Sequence, residues 1–182
     1  IYAAKVTGNE ETLQWEMIGN LPEPAAYGGV VASGDSLILV GGCNTEHSLR
    51  TVLSIHLDQE NGKPILKSLP DLPCTVDNMG VCLLNTRLFV VGGNQDGRPS
   101  ASVLTMEIGK DEKWTLETEL LGEPRVQPVC AAYKNELFVW GGFYENGKSS
   151  IVATSGLHYH LMSKSWASLP APVNLQGKEL TL

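Results

Sequence analysis

The residues of this sequence that are best suited to binding chemistry lie beside three glycine pairs. Seven of them occupy either the loops after these pairs or the segments that lead into the preceding strands: Glu46, Asn94, Tyr144, Asp77, Asn78, Arg125 and Gln127. Amides and carboxylates form hydrogen bonds with hydroxyl groups, and a guanidinium fork can grip a carboxylate through two parallel hydrogen bonds. The set therefore indicates a site for a polar small molecule, and it allows that molecule to be an anion.

Each of these assignments has a structural alternative. Arg125 could instead tie neighbouring repeats together through main-chain carbonyl groups. Glu46 and Glu145 could serve as an acid or base in a variant enzyme, or they could be solvated loop carboxylates. The stretch from Asn94 to Asp96 suits sugar hydroxyls, but it also consists of residue types that turns use. The sequence alone leaves these alternatives open.

The glycine pairs end three apolar runs of similar sequence, from Leu37 to Gly42, from Leu88 to Gly93 and from Leu137 to Gly142. Their first glycines are 92 − 41 = 51 and 141 − 92 = 49 residues apart. A repeat of this length is typical of propeller arrays and not of helical solenoids. Because each run is continuously apolar, it predicts a strand buried on both faces, and the glycines predict a tight corner after it.

The remainder of each repeat predicts three further strands. First strands are expected at 26–32, 77–83 and 126–132, third strands at 52–57, 103–108 and 157–161, and fourth strands at 65–69, 114–117 and 165–169. Four antiparallel strands per repeat, without helical periodicity, predict an all-β propeller blade. The blades are expected at 21–71, 72–120 and 121–168, with the end of a preceding blade at 1–20 and the start of the next at 169–182. Residues 1–182 thus predict about three and a half blades of a single propeller.

Composition and net charge argue against several classes of binding partner. A net charge of -7 and an isoelectric point near 5.0 argue against nucleic acid or an anionic membrane. No apolar run approaches the roughly 20 residues that span a bilayer. The four cysteines lack metal-binding spacing, and His158 and His160 have no third ligand near them in sequence, so neither a metal nor a cofactor is predicted. Cys82 and Cys130 lie in apolar strands and are predicted to be small buried side chains.

The glycine pair after an apolar strand, with Tyr159 and Trp166 in the third repeat, resembles the Kelch motif. The third repeat, from Glu123 to Gly142, is similar to an early blade of the Kelch-type N-acetylneuraminate epimerases, which are sialic acid mutarotases. The first repeat, from Ala26 to Gly42, is similar to their last blade, an order that resembles the cyclically permuted branch. The resemblance implies a six-bladed ring closed by further blades or another chain, and it suggests a periplasmic or otherwise extracytoplasmic location.

The same resemblance implies an activity, the interconversion of sialic acid anomers. One group must protonate the ring oxygen and another must remove the anomeric hydroxyl proton. Arg125 is expected to project into the central channel near Asp77 and Asn94 and to grip the substrate carboxylate. The catalytic glutamate of the family has no match, because the positions after the glycine pairs are Cys43, Asn94 and Phe143. The acid and base are therefore expected in blades outside this sequence.

A second class of function is a Kelch protein–protein interaction module. Such a module displays aromatic and arginine side chains on its loop face and needs no acid/base pair. A copper oxidase of the propeller class is a weaker third alternative, because the sequence has no evident set of Tyr and His ligands.

Overall fold

The computed structural model describes residues 1–6, 8, 12–110, 113–146 and 149–178, and within these ranges it contains strands and turns but no helix. The strands in chain order are β1 (Tyr2–Ala3), β2 (Glu16–Met17), β3 (Gly29–Ser33), β4 (Ser36–Val40), β5 (Val52–Leu57), β6 (Pro64–Leu69), β7 (Val76–Asp77), β8 (Gly80–Leu84), β9 (Arg87–Val91), β10 (Asn94–Gln95), β11 (Arg98–Pro99), β12 (Ser102–Glu107), β13 (Thr115–Glu119), β14 (Val129–Tyr133), β15 (Glu136–Trp140), β16 (Phe143–Asn146), β17 (Ser149–Val152), β18 (Gly156–His160) and β19 (Ser165–Leu169). The expected all-β fold class is confirmed.

Three antiparallel sheets of four strands account for most of the chain. Their strand orders are β3-β4-β5-β6, β8-β9-β12-β13 and β14-β15-β18-β19. Each order follows the chain from first to fourth strand, so each predicted repeat forms one sheet. The hairpins β1-β2 and β16-β17 and the small sheet β11-β10-β7 complete the structure. The four-stranded antiparallel units expected from the sequence are therefore present.

The second sheet is buried on both of its faces. Leu88 and Val90 belong to an apolar cluster shared with the first sheet. Phe89 and Val91, which alternate with them along β9, belong to a second cluster shared with the third sheet. Successive side chains of a strand point to opposite faces, which explains why this run is continuously apolar.

The first and third sheets bury only one face each, which corrects the expectation for their apolar runs. Ile38 of β4 and Val139 of β15 are buried in the two clusters. Val30 and Val129, on the opposite faces, are 56% and 69% exposed. Neither of the two described apolar clusters includes a side chain of these outer faces. The apolar runs of β4 and β15 therefore contain side chains that neither cluster buries.

The first strands begin later than the sequence predicts. The chain kinks at Tyr27, Asn78 and Gln127, which have left-handed φ values of 55°, 53° and 55°. Only after these kinks do β3, β8 and β14 begin, and β8 lies beside both β3 and β14. All six residues of the glycine pairs also have positive φ, as a tight corner requires.

Two tryptophans in or directly before fourth strands link neighbouring sheets. Trp114 packs against the first cluster, and its Nε1 donates to the carbonyl oxygen of Pro70 at 2.9 Å. Trp166 lies 4.8 Å from Tyr159, ring centre to ring centre, and donates to Thr118 of the second sheet. Trp15 is exposed. Of the two part-blades expected at the ends of the sequence, the one at 1–20 contains the hairpin β1-β2, and residues 179–182 of the other lie outside the described residues.

Candidate functional site

Equivalent residues of the three repeats form a row across the sheets, which we call the inner row: Tyr27, Asn78 and Gln127. The main-chain N–H of Asn78 donates to the carbonyl oxygen of Tyr27 at 2.8 Å, and that of Gln127 donates to the carbonyl oxygen of Asn78 at 2.7 Å. Left-handed backbone is uncommon for residues other than glycine, and it concentrates where structure serves function. The inner row is therefore the first candidate for a functional site.

The side chains of the inner row lead to a buried carboxylate. Nε2 of Gln127 donates to Oδ1 of Asn78, and Nδ2 of Asn78 donates to Oδ1 of Asp77, both at 2.7 Å. Nδ2 of Asn94 also donates to Oδ1 of Asp77, at 2.9 Å, and Oγ of Ser48 donates to Oδ2 at 2.5 Å. Five residues from three repeats thus form one hydrogen-bonded cluster, the Asp77 network.

The environment of Asp77 keeps its carboxylate ionised. The side chain is buried, with only 7% of the residue exposed. Burial by itself raises the pKa of Asp77, but the hydrogen bonds from Ser48, Asn94 and Asn78 outweigh it and bring the pKa below its ordinary value. At neutral pH this group is therefore an acceptor of hydrogen bonds and has no proton to give.

The two glycine corners nearest to Asp77 position the network. Asp77 of β7 pairs with Asn94 of β10, which directly follows Gly93. A Cβ atom on Gly93 would lie 2.6 Å from the carbonyl oxygen of Asp77, so only glycine allows the strands this close. In the first repeat, the N–H of Gly42 donates to the carbonyl oxygen of Val76 and so holds β7 beside the loop that carries Ser48.

The structure brings together four of the seven residues singled out from the sequence: Asp77, Asn78, Asn94 and Gln127. It adds Ser48, which was not among the seven. The only signal for Ser48 was its place in a loop that follows a glycine pair. Nothing in the sequence indicated that its hydroxyl reaches the next repeat.

Arg125 makes a different set of contacts. Nη1 donates to the carbonyl oxygens of Gly141 at 3.3 Å and Ser155 at 2.9 Å, and Nη2 donates to Oγ of Ser155 at 3.4 Å. The residue is 5% exposed, and burial lowers the pKa of its guanidinium. Arg125 thus binds main-chain carbonyl groups, as the structural alternative for this residue predicted, but with one difference. The carbonyls belong to the same repeat as Arg125 and not to a neighbouring one.

Tyr144 and Glu46 lie apart from the Asp77 network. Tyr144, in β16, lines a cavity of about 460 Å³ together with Arg125 and Ser155. Glu46 is exposed, and its main-chain N–H donates to Oδ1 of Asn44 in a turn. Glu145 is exposed as well. The exposed carboxylates of Glu46 and Glu145 fit solvated side chains, and a binding role for Glu46, Tyr144 or Glu145 stays a prediction.

The other polar candidates have structural contacts. Oδ1 of Asp96 accepts from both N and Oγ1 of Thr75, which braces the loop against β7. His158 stacks on Phe138 at 5.0 Å, ring centre to ring centre, and its Nε2 lies 3.1 Å from Glu136. The ring of His160 contacts the turn at Ser163. Within the described ranges, no group of three or more His, Cys, Asp or Glu side chains is arranged to hold a metal ion.

Comparison with known proteins leaves the family open. No family model matches the chain, and no curated protein matches its sequence significantly. In the part of the chain that the structure describes, no helix has the length and apolar character needed to cross a membrane.

Proposed function

We propose that the three sheets are consecutive blades of a six-bladed Kelch-type propeller. In support, the first strands β3, β8 and β14 lie side by side in chain order, and apolar clusters fill both spaces between the sheets. The exposed apolar side chains on the two outer faces, such as Val30 and Val129, suit packing against further blades of the same kind. In such a ring the inner row lines the central channel.

We further propose that this channel binds a sugar acid and that the protein interconverts the anomers of N-acetylneuraminate. The observation that carries the proposal is the convergence of Ser48, Asp77, Asn78, Asn94 and Gln127 into one network. An ionised carboxylate accepts hydrogen bonds from sugar hydroxyls, and carboxamides both donate and accept. A few fixed polar groups of this kind are what a small-molecule site requires.

Charge sets the orientation of the ligand in this proposal. The carboxylate of a sugar acid is repelled by ionised Asp77 and has to lie away from it. Hydroxyl and acetamido groups suit the Asp77 network, and the exposed carboxamide of Gln127 is the part of it most open to a ligand. Asp77 itself suits positioning more than proton transfer, because its pKa is lowered and three side chains already bind it. We place the acid and the base of the reaction in further blades of the propeller. We also propose that the protein is extracytoplasmic.

The test is the rate of anomer exchange of N-acetylneuraminate, measured by exchange NMR with and without the intact protein. We expect the wild type to accelerate exchange and Gln127→Ala to weaken this effect severalfold. Gln14→Ala is the matched control, since it removes an exposed carboxamide outside the Asp77 network and should leave the rate unchanged. Absence of acceleration by the wild type would remove the enzymatic proposal.

A protein–protein interaction module is the second candidate. Tyr27 of the inner row is 66% exposed, and Arg125 is occupied by carbonyl groups, which together favour a binding surface over a carboxylate grip. Saturation-transfer NMR with N-acetylneuraminate separates the two candidates when exchange is not accelerated. Binding without turnover would leave a sugar-binding protein, and absence of binding would leave the interaction module.

A further inference from the structure

Two cysteines meet where the second and third sheets adjoin. Cys82 of β8 is buried in the apolar cluster between these sheets, and Cys130 of β14 packs against the same cluster. Their thiols are hydrogen-bonded to each other, and both are free. Gly80 makes room for this contact, because a Cβ atom there would lie 3.1 Å from Sγ of Cys130.

The equivalent contact between the first and second sheets has no sulfur. The positions that correspond to Cys82 and Cys130 are Val31 (82 − 31 = 51) and Val81 (130 − 81 = 49), and both valines pack against the first cluster. Gly29 makes room for Val81 as Gly80 does for Cys130. Apolar packing at this position therefore does not require cysteine, and the pair of thiols is particular to the second contact.

We propose that Cys82 and Cys130 form a disulfide that fastens the second sheet to the third when the protein meets a disulfide oxidant, such as glutathione disulfide or an oxidised thiol–disulfide oxidoreductase. One cysteine, as a thiolate, attacks a sulfur of the oxidant, forms a mixed disulfide and releases one thiol. The other cysteine then loses its proton and attacks the protein sulfur of that mixed disulfide, which releases the second thiol. The protein loses two electrons and two protons, and the oxidant is reduced to two thiols.

The folded environment determines when this step takes place. The hydrogen bond with Cys82, together with burial, raises the pKa of Cys130, so its thiol stays protonated in the assembled sheets. Attack by a thiolate is consequently slow once the sheets have packed together. The disulfide therefore forms while the sheets assemble or when they separate transiently.

The experiment is refolding of the protein in a buffer of reduced and oxidised glutathione, followed by alkylation and peptide mapping by mass spectrometry without reduction. We expect one dominant pair of linked peptides, which joins Cys82 to Cys130. Cys43 and Cys74 should be found alkylated or bound to glutathione. The disulfide closes a loop of about fifty residues in the unfolded chain, so we expect the oxidised protein to melt roughly 5–10 °C above the reduced one.

The matched control is the double variant Cys82→Val with Cys130→Val, which reproduces the residues of the first contact. It should fold, and its melting temperature should not respond to the glutathione buffer. A single variant, Cys130→Ala, provides a second control if the two valines crowd the contact. The proposal is overturned if Cys82 and Cys130 of the wild type remain alkylated or are found only as glutathione adducts. It is equally overturned if the linked peptide forms without raising the melting temperature.

Discussion

Gln127 and Asn78 are joined twice across the boundary between the second and third sheets. The main-chain N–H of Gln127 donates to the carbonyl oxygen of Asn78, and its Nε2 donates to Oδ1 of the same residue, both at 2.7 Å. Because Asn78 in turn donates to Asp77, the double link fixes the orientation of a buried carboxylate from the neighbouring repeat. The geometry of the Asp77 network therefore depends on how the two sheets are arranged.

Asn78→Gly tests the network without straining the backbone. Glycine accepts the φ of 53° at this position, so the variant loses only the two side-chain hydrogen bonds of Asn78. We expect the free energy of unfolding to fall by about 1–2 kcal/mol, measured by urea denaturation. Asn85→Gly is the matched control, because exposed Asn85 has a φ of 56° in the turn between β8 and β9. Equal effects of the two variants would contradict the role given to the Asn78 side chain.

Asp77→Asn tests the charge of the buried carboxylate. The pKa of Asp77 in the folded protein is below its ordinary value, so its ionised form contributes stability above the unfolded pKa, about 3.9. This contribution is lost as the pH falls through the folded pKa. We expect the variant to be less stable than the wild type at neutral pH and the difference to shrink in acid. Urea midpoints measured between about pH 7 and pH 3 check this, and a constant difference would contradict it.

Gly92→Ala tests the first glycine of the central corner. The φ of Gly92 is 62°, and an added Cβ atom would lie 2.3 Å from the carbonyl oxygen of Arg125. Gly97 is the control, since its φ is 77° but an added Cβ atom there meets nothing within 4 Å. We expect Gly97→Ala to cost about 1 kcal/mol from backbone strain and Gly92→Ala to cost about 3 kcal/mol or more, because a main-chain atom must also move. Similar thermal unfolding of the two variants would show that the close approach is not limiting.

The architecture was readable from the sequence because it depends on local pattern. A continuously apolar run before a glycine pair predicted β4, β9 and β15, and β5 and β19 have the predicted bounds. The first strands were predicted to begin too early because the left-handed angles of Tyr27, Asn78 and Gln127 have no signature that all three residue types share. Asparagine is the only one of the three with a preference for that conformation.

The site was readable in part, for a related reason. Asp77, Asn78, Asn94 and Gln127 could be singled out because each has a fixed offset from a glycine pair. The hydrogen bond from Ser48 joins side chains 29 residues apart in different repeats, and no local pattern encodes it. The contacts of Arg125 were undecided for the same reason, since carbonyl oxygens are present at every residue and sequence cannot say which of them a guanidinium meets.

Arg125→Lys separates a structural arginine from a substrate-binding one. An ammonium group cannot reproduce the planar fork that reaches the carbonyl oxygens of Gly141 and Ser155, so one buried carbonyl is left without its donor. We expect the free energy of unfolding to fall by about 2 kcal/mol. Arg50→Lys is the control, because exposed Arg50 pairs with Asp71 at 3.3 Å and such surface pairs contribute little, about 1 kcal/mol at most.

A second measurement on the Arg125→Lys variant decides whether Arg125 also binds substrate. It is the rate of anomer exchange of N-acetylneuraminate, corrected for the fraction of folded protein. If Arg125 is structural only, the corrected rate equals that of the wild type, because the guanidinium is committed to carbonyl groups of its own repeat. A corrected rate that falls at least tenfold would mean that the fork also grips the substrate carboxylate. An unchanged free energy of unfolding would instead contradict the carbonyl-binding role, since a buried carbonyl that loses a charged donor has to destabilise the fold.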